Sequence, residues 1–576
     1  MFKNINKLTN THLLFIILLL NVIFLLPGLW VPYFNIDEIT NAIHARFINN
    51  SELGLSDFLG NTYLLTHYLY AFLYLFVPEN TLLPMHILHG FWQALTILAL
   101  FWAGTKLSDQ KTGLWAALFY CVFSHCFMSK DFYTPSAESF SLLPAIICVG
   151  FVFRAIDSKD FKSYFLAGIF AMLATFFKAP MGVLFIAVLC MLISRGWNFV
   201  NRMLVFSAGF FLVMFVPALF VMPFGEGFRL MFAKVSEVNA EYIQAYEGFP
   251  FIYWFFKLLI RSALVFGAQF AMTIFALFGL KAVFRFSRLK REYWRKMFFL
   301  FLWLVFIWYT VTLGKRVFYH YFVFLLGPFS LLAAEGMRQW KIVLKKKRIS
   351  SERKRDFIYR IVGFVYNHLV WLMIAPALIF FVEASFNFST QPQNLEQAIF
   401  YVKQNTKQDD RIYVWGNVPQ IYFFAQRLPS TVYFWTDVLT NKLPGSPAME
   451  YMRATKEDLA LSNMLVKDFL PHVFVDKDPK EFKNRSYLAD IGDNELLTLE
   501  EIVERHPHYY WKRVFSDFLK NPPTLFIDSS PANIRGFGHF PIRKYELMKR
   551  FVTERYKLEK VVDGMIIYRL KNVSSL

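Results

Sequence analysis

Four short stretches hold residues able to do chemistry. The first, YFNIDEITNA at 33–42, sets Asp37 and Glu38 side by side just after a long apolar segment. Neighbours on a helix point in different directions, so at most one of the two aims at a substrate and the other supports it. The second, KDFYTPSAESFSLLP, carries Glu138. Thr134 suits a helix N-cap and Pro135 the first helical position, which places Glu138 in a first turn, where the helix dipole favours a carboxylate. The third, TFFKAP, closes an apolar run on Lys178. Snorkelling accounts for a lysine there, and ionisable groups at membrane depth are also candidates for function. The fourth, GKRVFYHYFVFLLGP at 314–328, gathers Lys315, Arg316, His320 and Tyr321 at the mouth of another apolar run. Cations beside carboxylates suit an anionic head group such as a phosphate.

Those residues need elements to hold them, and composition says which. Of 576 residues, 56% are hydrophobic and 19% aromatic, with 69 Phe. A membrane span needs roughly 20 mostly apolar residues. HLLFIILLLNVIFLLPGLWV, MHILHGFWQALTILALFWAG and MLVFSAGFFLVMFVPALFVM meet that length. The alternation of a β-barrel is absent, so the pattern predicts a polytopic α-helical membrane protein. The net charge of +19 concentrates in short loops, chiefly RFSRLKREYWRK (285–296) and RQWKIVLKKKRISSERKRDFIYR (338–360). That follows the positive-inside rule, with contact to anionic membrane lipids as an added role, and no nucleic-acid partner is expected. Cys121, Cys126, Cys148 and Cys190 lie in or near apolar segments without metal-ligand spacing and read as small core residues.

The N-terminal apolar run is too long for the core of a signal peptide and lacks a small-x-small cleavage site, so it reads as a first span entered from the cytoplasm. Further spans are expected near 84–104, 113–129, 140–156, 163–178, 181–195, 203–223, 263–284, 297–313, 319–335 and 361–383, about eleven with the first at 11–31. On that count both basic loops fall inside, and 32–83, 224–262 and everything after 384 fall outside. The apolar stretch 63–77 would reverse the sidedness as a full span; it reads as a short interfacial or re-entrant helix. ITNAIHARFINN, after the two acids, reads as an amphipathic helix on the bilayer surface.

The chain thus divides at 384/385 into a transmembrane module, 1–384, and an extracytoplasmic α/β domain, 385–576. In the latter RIYVWG, STVYFW, HVFVD, TLFID and MIIYRL read as strands between helical stretches such as NLEQAIFYVKQNT and KEDLALSNMLVKDF. No phosphate-binding glycine pattern, nucleophile elbow or internal repeat is present.

In these motifs the chain resembles the GT-C superfamily of membrane glycosyltransferases, in the branch of the protein O-mannosyltransferases and aminoarabinose transferases. The resemblance covers most of the chain. It rests on the DE after the first span, the T-x-K of TFFKAP, the K/R…HY…P of 314–328, and YVKQNTKQDDRIYVWGNVPQIYFFAQRLPS in the outer domain. Members often have Asp where this chain has Glu138. Their KPP or HPP near the short helix is here THYLY, leaving His67 and Tyr68 as candidates for the contacts of that motif.

The resemblance implies a sugar donor linked to a polyprenyl phosphate and a hydroxyl acceptor on a lipid, glycan or protein, with inversion at the anomeric carbon. Asp37 would accept the acceptor's proton, and Lys178, Lys315, Arg316, His320 and Tyr321 would hold the donor phosphate. Glu38 and Glu138 would orient Asp37, contact the acceptor or bind a cation. No cofactor is assigned, and members differ in metal dependence, so a divalent cation stays open. Three alternatives remain: a transporter or flippase of a lipid-linked sugar, expected to show repeats or paired broken helices; an oligosaccharide ligase; and a scaffold that has lost activity. Outer domain and short loops fit a bacterial inner membrane better than the endoplasmic reticulum.

Overall fold

The computed structural model describes residues 9–53, 64–127, 129–158, 160–193, 199–219, 251–284, 290–312, 317–345, 357–386, 395–440 and 509–571. These fall into two compact units. The first contains the described residues up to 41, 51–219 and 251–386; the second contains 42–50 and 395–571.

The first unit is helical. Among its described residues, six helices are long and apolar enough to cross a membrane: Asn10–Leu29, Leu83–Leu107, Ala137–Ser158, Phe199–Val216, Arg291–Thr312 and Tyr319–Leu344. Two bent pairs, Trp254–Ala268 with Phe270–Leu280 (101°) and Tyr359–Asn367 with Leu369–Ser385 (66°), raise the number to eight if each is one span. The expected spans at 113–129, 163–178 and 181–195 fall on helices of 14, 17 and 11 residues, Gln110–Phe123, Phe161–Phe177 and Val183–Ile193. Each is shorter than the roughly 20 residues of a full crossing. The stretch read as a short helix is one, Leu64–Tyr74, of 11 residues.

Polar side chains decide where several helices begin. Asp109 accepts from the Thr112 amide at 2.8 Å and Asp160 from the Ser163 amide at 3.3 Å. The helix carrying Glu138 starts at Ala137, two residues later than Thr134 and Pro135 suggested. Ser136 supplies the cap: its Oγ accepts from the Ser139 amide at 3.2 Å, and the Ser139 Oγ accepts from the Ser136 amide at 3.1 Å. Glu138 remains in the first turn.

Large apolar side chains fill the interior, as in a soluble bundle, and also cover much of the outer face. Trp303 and Tyr120 are fully buried, while Phe15, Phe91 and Trp371 face outward. Tyr319–Leu344 has 94% of its most apolar window buried against 22% for Asn10–Leu29, so the former is the central helix and the latter peripheral. Glycines let backbones meet. A Cβ on Gly168 would lie 2.0 Å from the Phe206 carbonyl oxygen, and one on Gly209 would lie 2.1 Å from that of Phe165. The helices Phe161–Phe177 and Phe199–Leu219 therefore touch along their main chains, as small residues permit in membranes.

A polar network ties other helix ends together. Glu335, fully buried, accepts from Arg338 Nε at 2.8 Å and Nη2 at 2.7 Å, from Ser108 Oγ at 2.9 Å, and from the Tyr293 hydroxyl. All four cysteines are free thiols, three of them buried.

The second unit holds a four-stranded sheet of β1 (Ile412–Trp415), β2 (Leu525–Asp528), β3 (Tyr556–Val562) and β4 (Met565–Leu570), in the order β1-β2-β4-β3. β1 and β2 are parallel, and the other pairings are antiparallel. Phe515, Phe518, Phe526 and Phe551 form its core with Trp415. Three expected strands appear, in RIYVWG, TLFID and MIIYRL. STVYFW forms no strand, because Thr431 and Thr436 tie that segment down: the Thr431 hydroxyl donates to Asp517 at 2.8 Å and Thr436 Oγ1 accepts from the Gly416 amide at 2.7 Å. β3 was not expected, since its exposed lysines and glutamate hide a strand period. HVFVD and KEDLALSNMLVKDF lie outside the described residues.

The helix expected after the two acids starts earlier, at Ile36, and takes both acids into its first turn; nor is it a surface helix. Every residue from Glu38 to Phe47 is buried. Ala42–Asn50 belongs to the second unit, where His44 packs on Phe434 and Trp435 with both ring centroids at 5.3 Å. Burial pushes the His44 pKa down to about 4, so the ring is neutral at physiological pH. Arg46 stands 5.0 Å over the Phe423 ring, a cation–π contact on the polar face that the sequence suggested was for water.

Candidate active site

The first unit brings together five ionisable residues from five places in the chain. Asp37 sits in the first turn of Ile36–Asn49. Asp131 lies on the four-residue helix Ser129–Phe132, and Glu138 begins Ala137–Ser158. Lys178 caps Phe161–Phe177 in extended conformation, just before Pro180 starts a 3-10 turn, and this break turns its side chain off the helix. His320 lies in the 3-10 stretch Tyr319–Leu325 that leads into the central helix.

Lys178 Nζ is 2.8 Å from Glu138 Oε1, and each side chain is 5% exposed. His320 lies between two acids, with Nδ1 3.7 Å from Asp131 Oδ1 and Nε2 4.0 Å from Glu138 Oε1. Lys178 Nζ also stands 5.8 Å from the Tyr321 ring centroid, and Tyr321 meets His320 edge-on at 4.6 Å. The His320 side chain keeps 23% exposure, and Asp37 is exposed. His320 is thus the open edge of a cluster whose Lys178–Glu138 pair is closed behind it, and Asp37 lies within electrostatic reach of His320, Glu138, Lys178 and Asp131.

Protein crowds Asp37 despite its exposure. Burial, the largest influence, raises its carboxyl pKa above the ordinary value; His320 and Lys178 pull it down, while Glu138 and Asp131 push it up. A raised carboxylate is a stronger base than a solvated one and therefore better matched to taking a proton near neutral pH.

Glu38 points elsewhere. It is fully buried and its Oε1 accepts from the amides of Phe34 at 3.0 Å and Asn35 at 3.2 Å. Asn35 Oδ1 in turn accepts from the Asp37 amide at 3.3 Å. This is a capping box written N-x-x-E, and NIDE in the sequence is its signature. Glu38 shapes the corner that presents Asp37.

The remaining expected residues divide. Lys315 and Arg316 lie outside the described residues. On Leu64–Tyr74, His67 is buried and Tyr68 half-buried, and Tyr70 on the same helix donates its hydroxyl to the Pro135 carbonyl at 3.1 Å. Asp131 was missed although KDFY stood in the quoted stretch. Its signal was a second acid seven residues before Glu138, and only folding shows both flanking His320. Among the described residues, no group of three or more His, Cys, Asp or Glu is placed to hold a metal ion.

No family model and no curated protein matches the sequence. Solved structures do. The oligosaccharyltransferase of Archaeoglobus fulgidus in the apo form aligns over 98% of this chain and 74% of its own, with TM-score 0.52 and 12% identity. The same enzyme tethered to an acceptor peptide containing the NVT sequon gives TM-score 0.53 at 13% identity, again over 98% of this chain and 74% of its own.

The chain has the GT-C fold.

A third structure of that archaeal enzyme, AglB with an inhibitory peptide and a dolichol-phosphate, matches this chain with TM-score 0.51 at 12% identity, over 98% of this chain and 75% of its own. ArnT from Cupriavidus metallidurans aligns over 79% of this chain and 94% of its own, with TM-score 0.49 and 11% identity.

Proposed function

We propose that this chain is a membrane glycosyltransferase that takes a sugar from a polyprenyl-phosphate donor and passes it, with inversion, to a hydroxyl of a lipid, glycan or protein acceptor. The observation that carries the reading is the partly open charge cluster of Asp131, Glu138, Lys178 and His320, with the exposed Asp37 in its electrostatic reach. Asp37 accepts the proton of the acceptor hydroxyl as its oxygen bonds to C1 of the sugar. The bond from C1 to the phosphate oxygen breaks, and its electron pair leaves with the polyprenyl phosphate. His320 faces the growing charge on that phosphate. Lys178 supports the site through Glu138, so contact with the phosphate falls first to His320, and to Lys315 and Arg316 on the sequence reading. Asp131 holds the His320 ring from the other nitrogen. General-base help of this kind contributes roughly 10²–10⁴-fold.

The reaction belongs on the outer face of the membrane, where the sequence places the acids and the C-terminal domain. A bacterial inner membrane remains the proposed setting.

Two other readings each have an observation behind them. Likeness in fold to an oligosaccharyltransferase favours a ligase that moves a whole glycan from a lipid diphosphate. The two sharply bent helix pairs supply the broken helices that a transporter of lipid-linked sugars would use, which the sequence did not reveal.

One experiment separates them. Purified full-length protein is given undecaprenyl-phosphate hexoses, undecaprenyl-diphosphate oligosaccharides and a mixed pool of lipid, glycan and peptide acceptors, and products are identified by mass spectrometry. Transfer from the monophosphate that is lost in Asp37→Asn supports the proposal. Transfer only from the diphosphate moves the ligase ahead. No transfer, with lipid-linked sugar crossing proteoliposome membranes, moves the transporter ahead.

A further inference from the structure

His86 is buried in the first turn of Leu83–Leu107 and was not singled out by the sequence. Its two ring nitrogens have different partners. Nε2 is 2.8 Å from Glu38 Oε2, and Nδ1 is 2.8 Å from the carbonyl oxygen of Gly28. A carbonyl can only accept, so Nδ1 carries a proton. A second proton must lie between Nε2 and Oε2, because two bare lone pairs would otherwise face each other in a buried place. Either as imidazolium with carboxylate or as imidazole with carboxylic acid, every atom of this bridge is satisfied.

The bridge joins three segments. Gly28 ends the first apolar helix; a Cβ there would lie 3.2 Å from the His86 Cβ, so the bare glycine lets the ring reach its carbonyl. Glu38 closes the capping box on the amides of Phe34 and Asn35. The His86 ring also packs against Phe34, with centroids 5.3 Å apart. The chain between Gly28 and Glu38 is thereby held at both ends by one side chain, and Asp37 is the residue next to the second anchor.

We propose that His86 is a positioning residue for Asp37, acting as a hydrogen-bonded bridge from the Gly28 carbonyl to the Glu38 carboxyl that fixes the helix corner presenting the Asp37 side chain. The reading of Asp37 as the base underlies its catalytic consequence, while the bridge itself is read independently.

The test uses full-length protein in detergent with Asp37→Cys, alkylated by a charged water-soluble maleimide, the native thiols giving the background. His86→Phe keeps a ring and loses both hydrogen bonds; it should change the alkylation rate at position 37 by about tenfold. Glu38→Gln keeps the bridge, because its oxygen still accepts from the two amides and its amide donates to Nε2; the rate should stay within about twofold. If His86→Phe does not fold, Gly28→Val leaves the histidine in place and pushes it from the carbonyl, with the same expected change. A His86→Phe or Gly28→Val rate within about twofold of the Asp37→Cys parent overturns the proposal. So does an equal change in Glu38→Gln. In proteins that retain Asp37, and with an undecaprenyl-phosphate hexose as donor, His86→Phe should lower kcat on the order of 10²-fold at unchanged donor KM. A shifted alkylation rate with unchanged kcat leaves the bridge standing and removes Asp37 as base.

Discussion

Lys178 Nζ and Glu138 Oε1 stand 2.8 Å apart with both side chains 5% exposed, so neither charge can turn to water if the other is lost. Removing one partner of such a pair costs about 3–5 kcal/mol, while replacing both by apolar groups is often neutral. Glu138→Ala should therefore lower the thermal midpoint in detergent sharply, and Lys178→Met with Glu138→Leu should recover most of the loss. Transfer activity should stay low in both, since His320 loses a flanking acid. A single variant as stable as the parent would show that water reaches the pair.

Asp37 should trade stability for function. A carboxyl whose folded pKa is raised adds stability that is fully present below the unfolded pKa and is lost as pH rises through the folded value. For Asp37 the direction is upward, with burial as first cause. At neutral pH the ionised group is thus a burden, and Asp37→Asn should melt higher than the parent. The difference should vanish below about pH 3.9, the unfolded aspartate value. Differential scanning of both proteins across pH reads this directly, and an Asn variant that melts lower at pH 7 contradicts it.

If Asp37 is the base, as proposed, the same raised carboxyl should set the acid limb of activity. Turnover should fall with decreasing pH around a midpoint above the ordinary aspartate range, because protonated Asp37 cannot accept a proton. His320→Gln removes the cation that most opposes the rise, so the midpoint should move further upward. A midpoint unmoved by this change would place the titrating group elsewhere.

Gly168 tests the helix contact remote from the site. A Cβ there meets the main-chain carbonyl oxygen of Phe206 at 2.0 Å, a clash that only a shift of backbone can relieve. Gly168→Ala should destabilise by about 1–3 kcal/mol, read as a lower thermal midpoint, with activity per folded molecule preserved.

Glu335 offers a matching case among buried acids. Glu335→Ala strands Arg338, Tyr293 and Ser108 without their shared acceptor and should cost about 3–5 kcal/mol. Proton-transfer chemistry at Asp37 should be untouched, so specific activity measured well below the melting temperature should match the parent.

Much of this protein is determined locally and could be read from the chain. Apolar length announces helices in lipid, because an unsatisfied backbone in hydrocarbon is prohibitive. NIDE encodes a capping box, so the corner that exposes Asp37 and hides Glu38 is written in four residues. The strands of RIYVWG, TLFID and MIIYRL also follow from local pattern. Tertiary structure alone decided which charges meet. Asp131, Glu138, Lys178 and His320 span nearly two hundred positions, and no local rule says that His320 sits between two acids or that Lys178 is held by one of them. It also decided that Glu38 to Phe47 is buried rather than laid on a bilayer. A helix period reports only that one face is apolar, whereas what covers that face depends on residues such as Phe423, Phe434 and Trp435, far along the chain.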